Sequence, residues 1–305
     1  MYIIISPIAF SLGALTVRWY GIIIGIGALL GLLIAIREGK RFRVHSDFFM
    51  DLVLIGLPSA LVGARIYFVA FQWDDYKNNP LEIIKIWHGG IAIYGALIGA
   101  LLAGWFYSRR KGYGFLRVVD ICAPGLIVGQ MIGRWGNFIN QEAHGGTVSK
   151  EFLQGKLHLP EWIVNQMHIG NAYFHPTFLY ESVWSFAGLI LLLILRRIPY
   201  VRAGEVFMGY LIWYSIGRFF IEGVRTDSLV FHGPNWLAIA LKTIWSPMSS
   251  FGWGAMEGGN IRISQLLAII IILASVSFIT IRRMSKSVVI KYTDPILQKN
   301  LTIKY

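Results

Sequence analysis

Among the charged residues within or at the ends of stretches that are otherwise apolar, five stand out: Arg65, Asp120, Arg134, Arg218 and Glu222. A charge is costly in a segment that crosses a bilayer, so each is a functional candidate. Arginine offers a planar fork of donors that fits a phosphate bidentately. Arg218 and Glu222 are one helical turn apart on a shared face. Tyr214 lies one turn before Arg218, and Tyr20 opens the first apolar stretch. Read as helices, these stretches place Arg65, Arg134, Arg218 and Glu222 near the same side of the membrane. A single arginine at such a place would only snorkel to the headgroups. Three at one depth, with an acid and tyrosines, predict a polar pocket for a phosphate, which in a membrane means a phospholipid headgroup. Asp120 is expected to be structural instead, pairing with Arg117 or capping a helix.

The densest polar group is the string Gly133-Arg134-Trp135-Gly136-Asn137-Phe138-Ile139-Asn140-Gln141-Glu142. Asn137, Asn140 and Glu142 supply donors and acceptors at the end of an apolar run, and Gly136 allows close backbone approach. As a bare pattern it could equally be a polar re-entrant turn.

The elements that must hold these residues follow from composition. Of 305 residues, 55% are apolar and 14% charged, and mean hydropathy is +0.58. So few charges cannot cover a water-soluble surface of this size. The chain is therefore expected to be an all-α polytopic membrane protein with about seven spans. These are Trp19–Ile36, Phe49–Phe71, Ile91–Tyr107, Val118–Gly133, Thr177–Leu195, Val206–Ile221 and Leu266–Ile281. Seventeen basic residues fall in loops 37–48, 108–117 and 196–205 and in the tail 282–305; nine fall on the other side. The positive-inside rule then puts the N-terminus outside and the C-terminus in the cytoplasm. It also accounts for the net charge of +12 without a nucleic-acid partner. The basic run Arg282, Arg283 and Lys286 suits an anionic inner leaflet.

The whole chain, 1–305, reads as one integral membrane domain. Its long outer segments are 134–176 and 222–265, and its basic cytoplasmic tail is 282–305. Amphipathic runs Leu159–Met167 and Asn235–Ile244 are expected to be interfacial helices. The stretch Ile3–Thr16, apolar but broken by Pro7 and Gly13, is also expected to lie at the interface. Glycines four apart (21/25, 27/31, 95/99 and 125/129/133) predict close helix contacts, with the fourth span central. The single cysteine, Cys122, is expected to be a small buried hydrophobe. No cleavable signal peptide is expected, because no positive charge precedes Arg18.

Taken whole, the Gly133–Glu142 string resembles the signature of the prolipoprotein diacylglyceryl transferase family, Gly-Arg-x-Gly-Asn-Phe-x-Asn-x-Glu, and matches every fixed position. Other stretches resemble the family in order: Arg18-Trp19-Tyr20-Gly21, Gly63-Ala64-Arg65-Ile66-Tyr67, Gly89-Gly90-Ile91-Ala92-Ile93 and Ala143-His144-Gly145-Gly146. His175-Pro176-Thr177-Phe178-Leu179-Tyr180-Glu181 follows, then Tyr214, Arg218, Glu222 and Arg225-Thr226-Asp227.

The resemblance implies an enzyme of the bacterial cytoplasmic (inner) membrane. It would transfer the diacylglyceryl group of phosphatidylglycerol to the lipobox cysteine thiol of a preprolipoprotein and release glycerol phosphate. The implied partners are phosphatidylglycerol and the signal peptide that carries the lipobox; no metal or cofactor is implied. Arg134 and then Arg218 are expected to stabilise the leaving phosphate. Asn137, Asn140, Glu142, Gly145 and Glu222 would bind or orient the substrate, while Tyr20, Arg65 and Tyr214 would line its path. Tyr94 stands where many members have histidine, a proposed base for the thiol. Tyrosine ionises near pH ~10 and is a poor base at neutrality, so Tyr94 is given a substrate-positioning role at the catalytic centre. His88 is an alternative base, although His88, His144 and His175 read more simply as hydrogen-bonded interfacial histidines. Val230–Gly259 is longer than the family's usual connection. A lipid transporter and a non-catalytic lipid-binding relative are the competing readings. Arginines confined to one side oppose the first, and the intact string opposes the second.

Overall fold

The computed structural model describes residues 4–13, 15–285 and 290–296. Strands β1 (Ile8–Leu12) and β2 (Leu15–Arg18) lead into α1 (Trp19–Arg41), α2 (Ser46–Phe71) and the short α3 (Trp73–Tyr76). Two 3-10 turns precede α4 (Ile93–Arg110) and α5 (Phe115–Asn140). Then come β3 (Thr147–Val148), a π turn at Phe152–Lys156, α6 (Glu161–Gln166), β4 (His168–Ile169) and β5 (Ala172–Phe174). The last part comprises α7 (Thr177–Leu195), α8 (Glu205–Glu222), β6 (Val230–Phe231), α9 (Asn235–Trp245), β7 (Ile261–Arg262) and α10 (Ile263–Met284).

All seven apolar stretches form helices. Five of them, α1, α2, α5, α7 and α10, are long and apolar enough to cross a membrane, as in a polytopic membrane protein. Helices α4 and α8 are 18 residues each and carry polar ends, Arg109 and Arg110 in one and Glu205 and Glu222 in the other. The fourth helix is longer than its apolar run. It starts at Phe115 and continues through the polar string to Asn140, because no proline or left-handed glycine interrupts it there. Arg134 is therefore interior to α5 and does not end it. Basic residues close α1 (Lys40, Arg41), α4 (Arg109, Arg110) and α10 (Arg282, Arg283), where they complement the helix dipoles.

The chain forms two compact units. One comprises residues 1–33 and 122–293, the other 34–121 and 294–305. In the second unit, α2 and α4 pack backbone to backbone. A methyl added at Gly63 would strike the Gly95 carbonyl, and one at Gly99 the Ser59 carbonyl. Phe48 is held at the base of this pair between the rings of Tyr107 and Tyr113. Asp120 is fully buried.

In the first unit, α1 meets α5 through the same device: Gly31 faces the Gly125 backbone and Gly27 the Gly129 backbone. Gly21, Gly25 and Gly133, also four apart, have open space beside them. Over its most apolar window α5 is 56% buried, against 11–33% for the other four long apolar helices, so it is the most enclosed of these five. Helices α7 and α8 are locked by a tryptophan pair. Trp184 Nε1 donates to the Trp213 carbonyl (2.9 Å) and Trp213 Nε1 to the Trp184 carbonyl (2.8 Å), with the rings stacked at 4.3 Å. Gly217 and Gly188 leave room for the two indoles. Cys122 is half-buried in α5.

Both long segments between helices have cores of their own. Residues 141–176 carry the sheet β3-β5-β4 and α6 over a cluster of Phe138, Leu153, Ile163, Val164, Met167 and Phe178. The helix expected at Leu159–Met167 forms here. It is helical only over Glu161–Gln166, and Ile163, Val164 and Gln166 are buried in that core. The segment 223–262 packs α9 and the β6–β7 pair over Phe219, Val224, Leu241, Trp245, Ile261 and Ala268. Helix α9 buries Leu241 and Trp245 and leaves Trp236 and Ile239 exposed. The apolar stretch near the N-terminus forms a hairpin, β1 on β2, with Ile8, Phe10 and Leu12 exposed. Ile3 and Ala14 of that stretch lie outside the described residues, as do Lys286, Lys299 and Lys304 of the basic tail.

Candidate active site

The polar string ends α5 and then turns back on itself. Gln141 and Ala143 both have left-handed backbone angles (φ 53 and 56), which reverse the chain. The reversal brings Glu142 over the last turn of α5. Its Oε1 accepts from Asn137 Nδ2 (2.9 Å) and Asn140 Nδ2 (3.4 Å). Buried Gln166 fixes this turn from below. It donates through Nε2 to the Ile139 carbonyl (3.2 Å), and its backbone carbonyl accepts from Gln141 Nε2 (2.7 Å).

The next residues are stitched to two helix ends. Gly145 N donates to the His175 carbonyl (3.1 Å), and Gly146 N to the Val224 carbonyl (3.1 Å). Gly145 also bridges Arg225. A Cβ at Gly145 would lie 2.7 Å from His175 Cβ and 2.8 Å from Val224 Cγ1, so only glycine fits. This seam places the start of α7 and the end of α8 beside Arg134. His175 donates or accepts through Nδ1 with the Tyr180 hydroxyl at 3.0 Å, and burial pushes its pKa down to about 4. It is a neutral, satisfied histidine. His144 Nδ1 lies 3.1 Å from the Gly145 carbonyl.

Glu181, one turn into α7, is the hub of the site. Its Oε2 is 2.6 Å from Arg134 Nε, and its Oε1 is 3.6 Å from both Arg218 Nη1 and Arg225 Nη1. Arg218 Nη2 pairs with Glu222 Oε2 at 2.7 Å, and Arg225 Nε lies 3.8 Å from the same oxygen. Arg225 also forms a bidentate pair with Asp227 (2.9 and 2.6 Å). Burial would lower the Arg225 pKa, but Asp227, Glu181 and Glu222 together hold it above its ordinary value. Burial would raise that of Asp227, yet Arg225 keeps it below the usual carboxylate range. Exposure separates the roles. The side chains of Arg134 and Arg218 are 22% and 20% exposed, against 8% for Glu181 and 1% for Glu222. The two accessible guanidiniums thus rest on buried carboxylates that orient them, with donors left over for an anion.

The structure brings together Arg134, Asn137, Asn140, Glu142, Gly145, Arg218 and Glu222. Tyr214 stands one turn along α8 from Arg218, its ring stacked on that of Tyr210. Tyr20 packs on Gly136, where a side chain would strike its ring. With Arg18 and Asn140 it lines an open groove of about 620 Å³.

Two predicted residues, Arg65 and Tyr94, belong to the other unit. Arg65 is corrected. Nε donates to the Ile83 carbonyl (2.8 Å), Nη1 to those of Gly89 (2.7 Å) and Gly90 (2.8 Å), and Nη2 to that of Glu82 (2.5 Å). With four of its five N–H donors on backbone carbonyls and Tyr76 against its face at 5.1 Å, it pins the 82–90 loop and does not line a substrate path. Tyr94 begins α4 directly after that loop, is 40% exposed and lies 6.4 Å from the Tyr67 ring. His88 is engaged by Glu82 at 2.9 Å.

Sequence reasoning did not single out Glu181 or Arg225 as site residues. Glu181 carried the same signal as Glu222, an acid inside an apolar span. Arg225 lay beyond a span end, where an arginine is unremarkable until its neighbours are known.

The family model described as prolipoprotein diacylglyceryl transferase matches residues 7–281. Relatives described as phosphatidylglycerol–prolipoprotein diacylglyceryl transferases include one from Bacillus velezensis, 50% identical over 95% of this chain and 97% of its own. One from Bacillus licheniformis is 49% identical over the same shares, and one from Bacillus mycoides is 50% identical over 92% and 93%. The string around Arg134 and the buried acid–arginine network behind it thus lie within the matched region, and the chain belongs to the prolipoprotein diacylglyceryl transferase family.

Proposed function

We propose that this chain transfers the diacylglyceryl group of phosphatidylglycerol to the thiol of a prolipoprotein lipobox cysteine and releases glycerol phosphate. The names of its relatives give the donor and acceptor classes. The single observation that carries the reading is the pair of accessible guanidiniums, Arg134 and Arg218, set on the buried carboxylates of Glu181 and Glu222.

The chemistry requires a sulfur–carbon bond to form at the glyceryl carbon as its bond to the phosphate oxygen breaks. Charge accumulates on the departing phosphate. Arg134 and Arg218 are fixed before it arrives, so they stabilise it without reorganising. The thiol proton leaves with the products, since glycerol phosphate can carry it. Asn137, Asn140 and Glu142 present amide and carboxylate groups suited to the hydroxyls of the glycerol headgroup. Tyr20 and Tyr214 flank the path to the arginines, and Tyr94 serves as a hydroxyl donor in substrate positioning. Holding two lipid-embedded substrates in one place supplies proximity, worth roughly 7–11 kcal/mol in favourable cases.

In this reading the seven long helices form one integral domain of the bacterial cytoplasmic membrane. The N-terminus and the segments 134–176 and 222–265 face outward, where secreted prolipoproteins arrive, and the basic tail faces the cytoplasm. The test is direct. Purified protein receives headgroup-labelled phosphatidylglycerol and a lipobox peptide. Release of labelled glycerol phosphate in step with thioether formation supports the reading, whereas lipid binding without release refutes it.

A further inference from the structure

Arg262 takes no part in the reaction as described above. It lies just before α10 and is fully buried, yet it forms no ion pair with a carboxylate among the described residues. Its Nη2 donates to the Gly254 carbonyl (2.6 Å) and the Arg225 carbonyl (3.3 Å), and Trp253 covers its face at 4.4 Å. Nε and Nη1 meet no acceptor among the described residues. Leaving donors of a buried cation unmet is expensive, so such groups call for an explanation.

Arg225 links this cation to Glu222, since its carbonyl accepts from Arg262 Nη2 and its own Nε lies 3.8 Å from Glu222 Oε2. That oxygen faces Arg218 at 2.7 Å as an ion pair, without an aligned hydrogen bond. Burial lowers the Arg262 pKa to about 10, and the charge of Glu222 is what opposes that fall.

We propose that Arg262 is a positioning residue that receives the Glu222 carboxylate when Arg218 turns to the phosphate of the lipid substrate. This rests on the reading of Arg218 as a phosphate ligand. Freeing Arg218 would leave a carboxylate that is only 1% exposed with the more distant Arg225 as its remaining cation. With Nε and Nη1 of Arg262 available, one ion pair is exchanged for another. The cover of Trp253 keeps Arg262 itself away from the phosphate.

The test compares wild type, Arg262→Met, Glu222→Gln and the double variant, with phosphatidylglycerol in detergent micelles and a lipobox peptide. Arg262→Met should lower kcat/KM for the lipid by about 10- to 100-fold, because Arg218 stays tied to Glu222. Adding Glu222→Gln to that variant should recover at least about tenfold, because neutralising the acid releases Arg218 without a receiver. A residue that only holds the Gly254 and Arg225 carbonyls would show no such rescue. If Arg262→Met does not accumulate, the same comparison runs with Arg262→Gln. Wild-type kcat/KM in the single variant, or an impaired double variant no better than the single, overturns the inference. An inert wild-type protein would instead overturn the proposed function.

Discussion

Arg134 and Arg65 look alike in the sequence, each an arginine late in an apolar helix, and the fold uses them oppositely. Arg134 rests its Nε on Glu181 and keeps a guanidinium edge accessible. Arg65 is 5% exposed and gives Nε and both Nη atoms to the carbonyls of Ile83, Gly89, Gly90 and Glu82. The difference lies in the partners. A carboxylate orients a guanidinium from one side and can be exchanged, whereas a ring of backbone carbonyls consumes it. An arginine in a membrane helix is therefore a phosphate ligand only when its partners leave donors free.

The largest expected effect is at Arg134. Arg134→Ala should lower the initial rate of glycerol phosphate release by about 10³-fold or more, while the protein still inserts and its Tm stays near wild type. Turnover close to wild type would erase the contrast with Arg65. Next comes Glu181→Gln, which keeps shape but removes the charge that orients Arg134, Arg218 and Arg225. A fall in kcat of about 10²-fold is expected, with KM for the lipid changed much less. A pure KM effect would mean that Glu181 contacts substrate and does not act through the arginines.

At Arg65 the effect moves from rate to stability. Arg65→Lys loses most of the four carbonyl bonds and should cost about 2–4 kcal/mol, read as a lower Tm and a loosened 82–90 loop by hydrogen exchange. Smallest is Tyr94→Phe, for which a fall of about three- to tenfold is expected with an unmoved pH profile. Loss of an ionisation from the profile would make its hydroxyl a proton carrier. A rate equal to wild type would remove Tyr94 from the site altogether.

Much of the helical framework was legible because apolar length is a strong signal. All seven stretches are helices, and glycines 27, 31, 95, 99, 125 and 129 meet backbone or side chains as their spacing suggested. Helix ends were less legible. Composition drops at Gly133, yet α5 runs to Asn140, because the polar residues there are compatible with helix and have their partners close by. The candidate site was half visible. Arg134, Arg218, Glu222 and the asparagines announced themselves as polar groups near the ends of apolar stretches. Glu181 as hub, the stitching of Gly145 to Arg225, and the buried Arg262 depend on segments 141–176 and 223–262 folding back over the helix ends. No local pattern encodes that return. The fate of Arg65 was hidden for the same reason, since backbone carbonyls have no sequence identity.

The most direct measurement sets Arg134→Lys beside Arg65→Lys in one assay of glycerol phosphate release per folded molecule, with Tm recorded for both. Each change keeps the charge and removes the fork. The account predicts that Arg134→Lys loses turnover by about 10²-fold with Tm preserved, while Arg65→Lys loses Tm with turnover per folded molecule within about threefold of wild type. The reverse pattern, or equal loss of turnover at unchanged Tm in both, would contradict it.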